Sequence, residues 1–305
     1  MRNSNSRVLV TGATGYVGGA LVPELVQAGH HIRVIARNPE DLTGRPWAAD
    51  VEILRADASS HAELRAALVD VDVAYYLIHS LESAIGFEET ERAHARTFAK
   101  AARGAGISRL VYLGGLVPPD SRLSSHLSSR REVGNILAAS GVPTTILRAG
   151  IIVGASSASF QMLRELTEQL PVLVGPWWLK NRVQPIAIRD MLHYLVAAAQ
   201  LPAHVGGAFD VGGPEVLSYR ELIQRYAAAA GLGPRLVLRS PFVTPGLASV
   251  GIGLLTAVPT GLAYPLVESL AHNMVCSDGN AIAEHIDEPR GGPTGFDEAV
   301  RLTST

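Results

Sequence analysis

The chain has 305 residues, of which 47% are hydrophobic and only 18% charged, and its net charge at pH 7 is −2. This composition is typical of a globular protein with a large core, and the length predicts one large or two small domains. The charge balance argues against nucleic acid as a partner, and a single cysteine, Cys276, excludes an internal disulfide and a cysteine-based zinc site.

The first half of the chain alternates short apolar runs with longer amphipathic segments. The apolar runs predict strands at Arg7–Thr11, His31–Ala36, Val51–Arg55, Val73–Ile78, Arg109–Leu113 and Thr144–Leu147. The amphipathic segments predict helices at Tyr16–Gln27, about Ser60–Val69, Gly86–Arg103 and about Ser125–Ala139. Strands that alternate with helices form βαβ units, so we expect an α/β fold, a Rossmann-type doubly wound parallel sheet.

The second half departs from this alternation. It predicts helices at Phe160–Gln169, Asp190–Gln200 and Tyr219–Ala230, strands at Val183–Ile188 and Ala208–Val211, and a loop over residues 171–182. We therefore predict a dinucleotide-binding core over residues 1–155 and a smaller substrate-side region over 156–305, of which residues 183–212 return to the core sheet.

A glycine-rich turn, TGATGYVG at residues 11–18, joins the first strand to the first helix. Its glycines permit a sharp turn, close approach of a pyrophosphate and close packing of the helix on the sheet. Because the pattern opens the first βαβ unit, it predicts a nucleotide site, with a flexible glycine turn as the alternative.

The residue after the second strand indicates which nucleotide binds. An acidic residue about 20 positions beyond the glycines would bind the ribose 2′-hydroxyl of NAD, whereas an arginine accommodates the 2′-phosphate of NADP. Arg37 occupies this position. We therefore expect NADP(H) to be preferred over NAD(H), with a solvated loop arginine as the alternative. Asp57, just past the third strand, is placed to meet adenine or to cap its own loop.

Five further parts of the sequence carry a resemblance to a known superfamily. They are Asp57 and residues 73–80, 148–154, 183–190 and 209–223. Together with the glycine-rich turn, they resemble the extended short-chain dehydrogenase/reductase superfamily over residues 7–232. The resemblance implies a catalytic Tyr-x-x-x-Lys pair, whose tyrosine moves the proton and whose lysine lowers the tyrosine pKa. Only two of the 26 basic residues are lysines, Lys100 and Lys180, and neither follows a tyrosine by four positions.

His126 and Arg130 stand where the resemblance places the tyrosine and the lysine, and Gly114 stands in the region of the usual serine. This departure is similar to the atypical NmrA-like branch, which includes quinone and enone reductases, lignan- and flavonoid-type reductases and NADP(H)-sensing proteins. There His126 would protonate a developing enolate and Arg130 would hold the ribose or a phosphate; a solvated helix face is the alternative. His79, after the fourth strand, is expected on the nicotinamide side or in strand-end packing.

The predicted catalytic residues are thus His126 and Arg130. The predicted cofactor-binding residues are Gly12, Thr14, Gly15, Tyr16, Val17, Gly18, Arg37, Asn38, Asp57, Ala58, Ile78, His79, Gly114, Arg130, Ala149 and Gly150. The ten histidines lack H-x-H and H-x-x-x-H spacing, so we expect no metal.

Residues 240–267 contain no charge. Prolines and glycines interrupt this stretch, so it predicts an apolar helical hairpin over 241–273 that forms a wall near the substrate. Peripheral membrane contact through 241–267 and a membrane span are the alternatives.

We therefore expect a cytoplasmic NADP(H)-dependent reductase of a small apolar electrophile, a quinone or an enone. The alternatives are an NADP(H)-sensing regulatory or scaffold protein without turnover, and a membrane-peripheral enzyme that acts on a lipid-like quinone.

Overall fold

The computed structural model describes residues 5–79, 86–118, 123–240, 243–256, 264, 267–277, 279 and 281–303. Its strands are β1 Arg7–Thr11, β2 His31–Ala36, β3 Glu52–Arg55, β4 Val73–Tyr76, β5 Arg109–Gly115, β6 Thr144–Ala149, β7 Ile152–Val153, β8 Val172–Gly175, β9 Arg182–Val183, β10 Ile186–Ala187, β11 Gly207–Val211, β12 Leu217–Ser218 and β13 Leu236–Arg239. Its α-helices are α1 Tyr16–Gln27, α2 Glu40–Thr43, α3 His61–Ala67, α4 Phe87–Ala105, α5 Ser125–Ala138, α6 Ala158–Gln169, α7 Ile188–Ala198, α8 Tyr219–Ala229, α9 Pro245–Leu255 and α10 Phe296–Thr303.

Seven parallel strands form the main sheet in the order β3-β2-β1-β4-β5-β6-β11. The strand order reverses between β1 and β4, and ligands of such sheets bind in the crevice that opens at the carboxyl ends of the strands there. The predicted Rossmann-type doubly wound fold is confirmed.

Helices cover both faces of this sheet. Alternate residues of a strand point to opposite faces, so Val8 and Val10 of β1 join the cluster under α1 and α7, whereas Leu9 joins the cluster under α3, α4 and α5. All three side chains are fully buried. Burial on both faces explains why these strands are continuous apolar runs in the sequence.

The second half differs from the prediction over residues 171–188. The single strand predicted at Val183–Ile188 is two short strands, β9 and β10, which flank residues 184–185 and pair with β12 and β7. Pro185 lacks a backbone N–H, which favours this interruption. The loop predicted at 171–182 contains β8, which pairs in parallel with β13, and a 3₁₀ turn at Trp177–Lys180. The chain returns to the main sheet with β11, beside β6.

The uncharged stretch contributes α9, which packs on α6. Ile252 of α9 is buried with Met162, Trp178 and Val267, so Trp178 packs under this helix. The first arm of the predicted hairpin is therefore helical, and much of the remainder lies outside the described residues. Among the described residues, no helix is both long and apolar enough to cross a bilayer. Peripheral membrane contact stays a prediction.

Candidate nucleotide and active site

The glycine-rich turn after β1 has room for glycine alone at two positions. Gly12 has a φ of +71°, and a Cβ there would lie 2.4 Å from the carbonyl oxygen of Leu77. A Cβ at Gly18 would lie 2.3 Å from the carbonyl oxygen of Gly12. The amide of Gly15 donates to the same Gly12 oxygen at 3.0 Å. The turn is therefore closed tightly against β4, and α1 approaches the sheet closely.

This turn presents the amino terminus of α1 to solvent. Thr14 and Gly15 are exposed, and the first turn of α1 begins with Tyr16-Val17-Gly18, which carries no acidic side chain. The first amides of a helix lack intrahelical partners and carry partial positive charge, which suits a phosphate group. The geometry therefore fits the predicted pyrophosphate site at Gly12–Gly18.

Two arginines flank this phosphate cradle. Arg37, with its neighbour Asn38, is exposed directly after β2, as predicted. Arg45 was not predicted: the short helix α2 turns the chain back, and Arg45 Nη2 donates to the carbonyl oxygen of Thr14 at 3.1 Å. The sequence did not indicate that Arg45 lies beside the glycine-rich turn, because a loop arginine carries no distinctive sequence signal.

Asp57 has a local role in the structure. Its Oδ1 accepts from the amide of Ser59 at 2.7 Å, and its own amide donates to Glu63 Oε2 at 2.8 Å. The hydrogen bonds from Ser59 lower the pKa of Asp57. This is the loop-capping alternative from the sequence; an adenine contact by Asp57 or the buried Ala58 stays a prediction.

The ends of β4, β5 and β6 place the other predicted cofactor residues at one edge of the sheet. Ile78 and His79 follow β4, and pairing of β5 with β6 sets Gly115 opposite Ala149, which precedes Gly150. A Cβ at Gly114 would lie 3.2 Å from the Tyr112 ring, so this position also favours glycine. Because β4 neighbours β1, these residues and the phosphate cradle share one edge.

A buried polar cluster lies at this edge, and the sequence had predicted only part of it. His79 Nδ1 lies 2.9 Å from Glu91 Oε1 on α4, and Ser129 Oγ of α5 donates to the other Glu91 oxygen. The rings of His79 and His126 stack with centroids 5.2 Å apart. Glu91 and Ser129 were missed, because a glutamate within EETER and a serine within a serine-rich helix are typical of solvated faces.

The electrostatics of the cluster leave Glu91 ionised. Glu91 is 3% exposed, and burial alone would raise its pKa. Hydrogen bonds from His79 and Ser129, together with the charge of Arg130, outweigh burial and lower the pKa of Glu91 to about 2.

Burial, with smaller contributions from His79 and Arg130, lowers the pKa of His126 to about 3, so His126 is neutral at physiological pH. The predicted role of His126 as a proton donor would need a protonated ring.

Arg130 has a donor that lacks a partner. Its Nη2 donates to the carbonyl oxygen of Leu113 at the end of β5, and its guanidinium lies 5.1 Å from the centre of the Tyr112 ring. Its Nη1, and likewise Nδ1 of His126, are buried without a hydrogen-bond partner among the described residues. Buried polar atoms are normally paired, so a ligand at this edge would satisfy both. The residues present therefore fit a bound nucleotide or substrate.

Among the residues that the structure describes, no three His, Cys, Asp or Glu side chains come close enough to hold a metal ion.

A doubly wound parallel sheet with a glycine-rich turn at its switch point defines the Rossmann-type class of dinucleotide-binding folds. Residues 4–237 match the model of the NmrA-like family, and the chain belongs to that family. The resemblance to the atypical branch of the short-chain dehydrogenases/reductases is thereby confirmed.

Two relatives and one solved structure are similar to this chain. The chain is 30% identical over 231 residues to the (4-alkanoyl-5-oxo-2,5-dihydrofuran-3-yl)methyl phosphate reductase of Streptomyces griseus, which covers 73% of this chain and 74% of that one. It is 27% identical over 303 residues to the ceramide reductase of Caulobacter vibrioides, covering 96% and 93% of the two chains. The NADPH-dependent quinone oxidoreductase of Escherichia coli, solved with NADPH, has the same fold, with a TM-score of 0.74, 22% identity and coverage of 98% and 100%.

Proposed function

We propose that this protein is an NADP(H)-dependent reductase that transfers hydride to a small apolar electrophile, a quinone or an enone. The observation that carries the proposal is the shared sheet edge: the phosphate cradle and a buried polar cluster with unsatisfied donors open on the same side. The reductases and the NADPH-bound neighbour among the similar proteins support the same reaction class.

The proposed cofactor contacts follow from the geometry of the cradle. The amides at the start of α1 hold the pyrophosphate, and Arg37 and Arg45 hold the 2′-phosphate of NADP(H) from two sides. Arg130 offers its unpaired Nη1 to the nicotinamide ribose or to the substrate oxygen. When bound, the reduced nicotinamide supplies the hydride.

An apolar substrate is supported by what lies beside the polar cluster. Ser124 Oγ at the start of α5 lies 3.1 Å from Ser269 Oγ, just beyond the uncharged stretch. Val267, at the end of that stretch, is fully buried with Met162 and Trp178. Val267 and Ser269 thus lie close to the turn of α5 that carries His126, and the apolar residues packed with Val267 adjoin the substrate side.

The absence of a Tyr–Lys pair is compatible with this chemistry. A quinone accepts hydride with little acid assistance, so orientation of the two reactants supplies most of the catalysis. Neutral His126 and cationic Arg130 can orient an electrophile without moving a proton.

Consumption of NADPH with a panel of apolar quinones and enones tests the proposal. We expect turnover on the order of 1 s⁻¹ or faster, measured as loss of absorbance at the NADPH band, with NADPH preferred over NADH.

Reactions without acceptor and with a cradle variant that cannot bind NADPH are the controls. Tight NADPH binding without turnover of any acceptor would overturn the reductase assignment. It would favour the second candidate, an NADP(H)-sensing protein, which the missing Tyr–Lys pair also supports.

A further inference from the structure

His79 and Glu91 form a pair that the function proposed above does not use. We propose that His79, held by Glu91 as its positioning residue, exchanges a proton with the substrate oxygen, and that the neighbouring His126 does not. This inference rests on the proposed reductase function and names the proton-handling residue of the same site.

The contacts of Glu91 define the tautomer of His79. An ionised carboxylate can only accept hydrogen bonds, so the contact of 2.9 Å between Glu91 Oε1 and His79 Nδ1 places a proton on Nδ1. Ser129 occupies the other carboxylate oxygen and so orients Glu91. The remaining ring nitrogen, His79 Nε2, is then the one that a ligand can reach. A carboxylate behind an imidazole fixes both ring orientation and tautomer in many catalytic pairs.

The position of His79 suits contact with a substrate. It lies three residues beyond β4 at the ligand-binding edge, and 33% of its side chain is accessible, in contrast to the buried Glu91. The ring of His126 stacks on one face of the His79 ring. In the proposed complex, His79 Nε2 therefore forms a hydrogen bond with the substrate oxygen while His79 keeps its contact with Glu91.

Among the described residues, the charged groups around His79 come from two helices. Glu91 of α4 is anionic, and from α5 come cationic Arg130, neutral His126 and the hydroxyl of Ser129. Burial, followed by the charge of Arg130, lowers the pKa of His79, while Glu91 opposes the shift. Within this cluster His79 is thus the ring whose protonated form Glu91 supports by a direct hydrogen bond, while His126 stays neutral.

The proposed step transfers one proton and one hydride to the substrate. In reduction, Nε2–H of the imidazolium gives its proton to the substrate oxygen while hydride from the reduced nicotinamide adds to the electrophilic carbon. The C=O bond becomes a C–OH, or an enone becomes an enol, and neutral His79 recovers a proton from water. In the reverse direction neutral Nε2 takes the alcohol proton. Because the His79 pKa is lowered, its protonated fraction falls as the pH rises through that value, so reduction slows and oxidation accelerates.

Ring NMR of the protein labelled at its histidines tests the pair without any substrate. We expect the nitrogen shifts of His79 to show the Nδ1–H tautomer, and its ring signals to titrate below pH 6.5 while those of His126 do not titrate above pH 4. Replacement of the carboxylate in Glu91→Gln removes a charge that favours the imidazolium. It should move the His79 midpoint downward by about one unit. An Nε2–H tautomer, or a midpoint that Glu91→Gln leaves unchanged, would overturn the pair.

Kinetics tests the role of His79 in turnover. His79→Gln should lower kcat for a carbonyl or enone acceptor by about 100-fold, with a much smaller loss for His126→Gln. Glu91→Gln should shift the pH profile of kcat in the same direction as the NMR midpoint. Ser129→Ala should shift it partially, whereas Ser128→Ala, on the same turn, should not.

The outcomes separate this inference from the reductase function. Wild-type turnover with undiminished kcat in His79→Gln contradicts the proton role of His79 and leaves the reductase assignment standing. Failure of the wild type with every acceptor contradicts the reductase function and the proton step together, while the NMR measurements still decide whether Glu91 holds His79.

Discussion

Replacement of Gly12 by alanine is expected to weaken NADPH binding by at least about 100-fold, or roughly 3 kcal/mol. The new Cβ would lie 2.4 Å from the carbonyl oxygen of Leu77, on the backbone directly after β4, and a φ of +71° is itself strained for alanine by about 1–2 kcal/mol. The turn must then move away from β4, and the amides of α1 no longer converge on the phosphates. Isothermal titration with NADPH measures the loss.

Gly104→Ala is the matched control for this variant. Gly104 lies in the last turns of α4, and an added Cβ would meet no described atom within 4 Å. Alanine is a better helix former than glycine, so we expect stabilisation by roughly 0.5–1 kcal/mol and unchanged NADPH binding. If a folded Gly12→Ala protein bound NADPH with wild-type affinity, the assignment of the glycine-rich turn as the phosphate site would be wrong.

Arg37→Asp is expected to reverse the nucleotide preference. Loss of a charge-assisted contact with the 2′-phosphate costs about 1.5–3 kcal/mol, so the NADPH Kd should rise by roughly 10–100-fold. An aspartate there can accept a hydrogen bond from the ribose 2′-hydroxyl, so the NADH Kd should fall. Titrations with both nucleotides at one ionic strength measure the change.

Two further variants delimit the 2′-phosphate site. Arg45→Gln should weaken NADPH binding and leave NADH binding nearly unchanged, because the proposed partner of its guanidinium is the 2′-phosphate, which NADH lacks. Arg301→Asp makes the same charge change as Arg37→Asp at an exposed position of α10, and it should alter neither affinity. An NADPH Kd that Arg37→Asp leaves unchanged would contradict the assignment of NADP(H).

The glycine-rich turn and the position of Arg37 after β2 were predictable because their signals are local. The glycine spacing of residues 12–18 and the arginine after β2 depend on chain segments a few residues long. Apolar runs bounded by turn residues likewise mark β1, β2 and β5 at nearly their observed limits. A positive φ such as that of Gly12 favours glycine directly, so a single sequence is enough to indicate it.

The short strands β8 and β13 were missed for a different reason. Their partner segments lie far apart in the chain, since Leu236 pairs with Val172. The run Val172–Val174 lies between two prolines, which is typical of a loop. Only its pairing with β13 identifies it as a strand. Strand pairing of this kind depends on tertiary context more than on intrinsic propensity.

The amino-acid sequence thus establishes the fold class, the glycine-rich turn and the absence of the usual Tyr–Lys pair, because each is encoded in neighbouring residues or in a count of lysines. Tertiary structure alone reveals that Glu91 and Ser129, 38 residues apart, meet beside His79, and that Ser269 meets Ser124 across 145 residues. Hydrogen bonds from His79 and Ser129 then keep Glu91 ionised, and burial leaves His126 neutral. Protonation state depends on what surrounds a side chain in space, so the chemistry of this site was decided by packing.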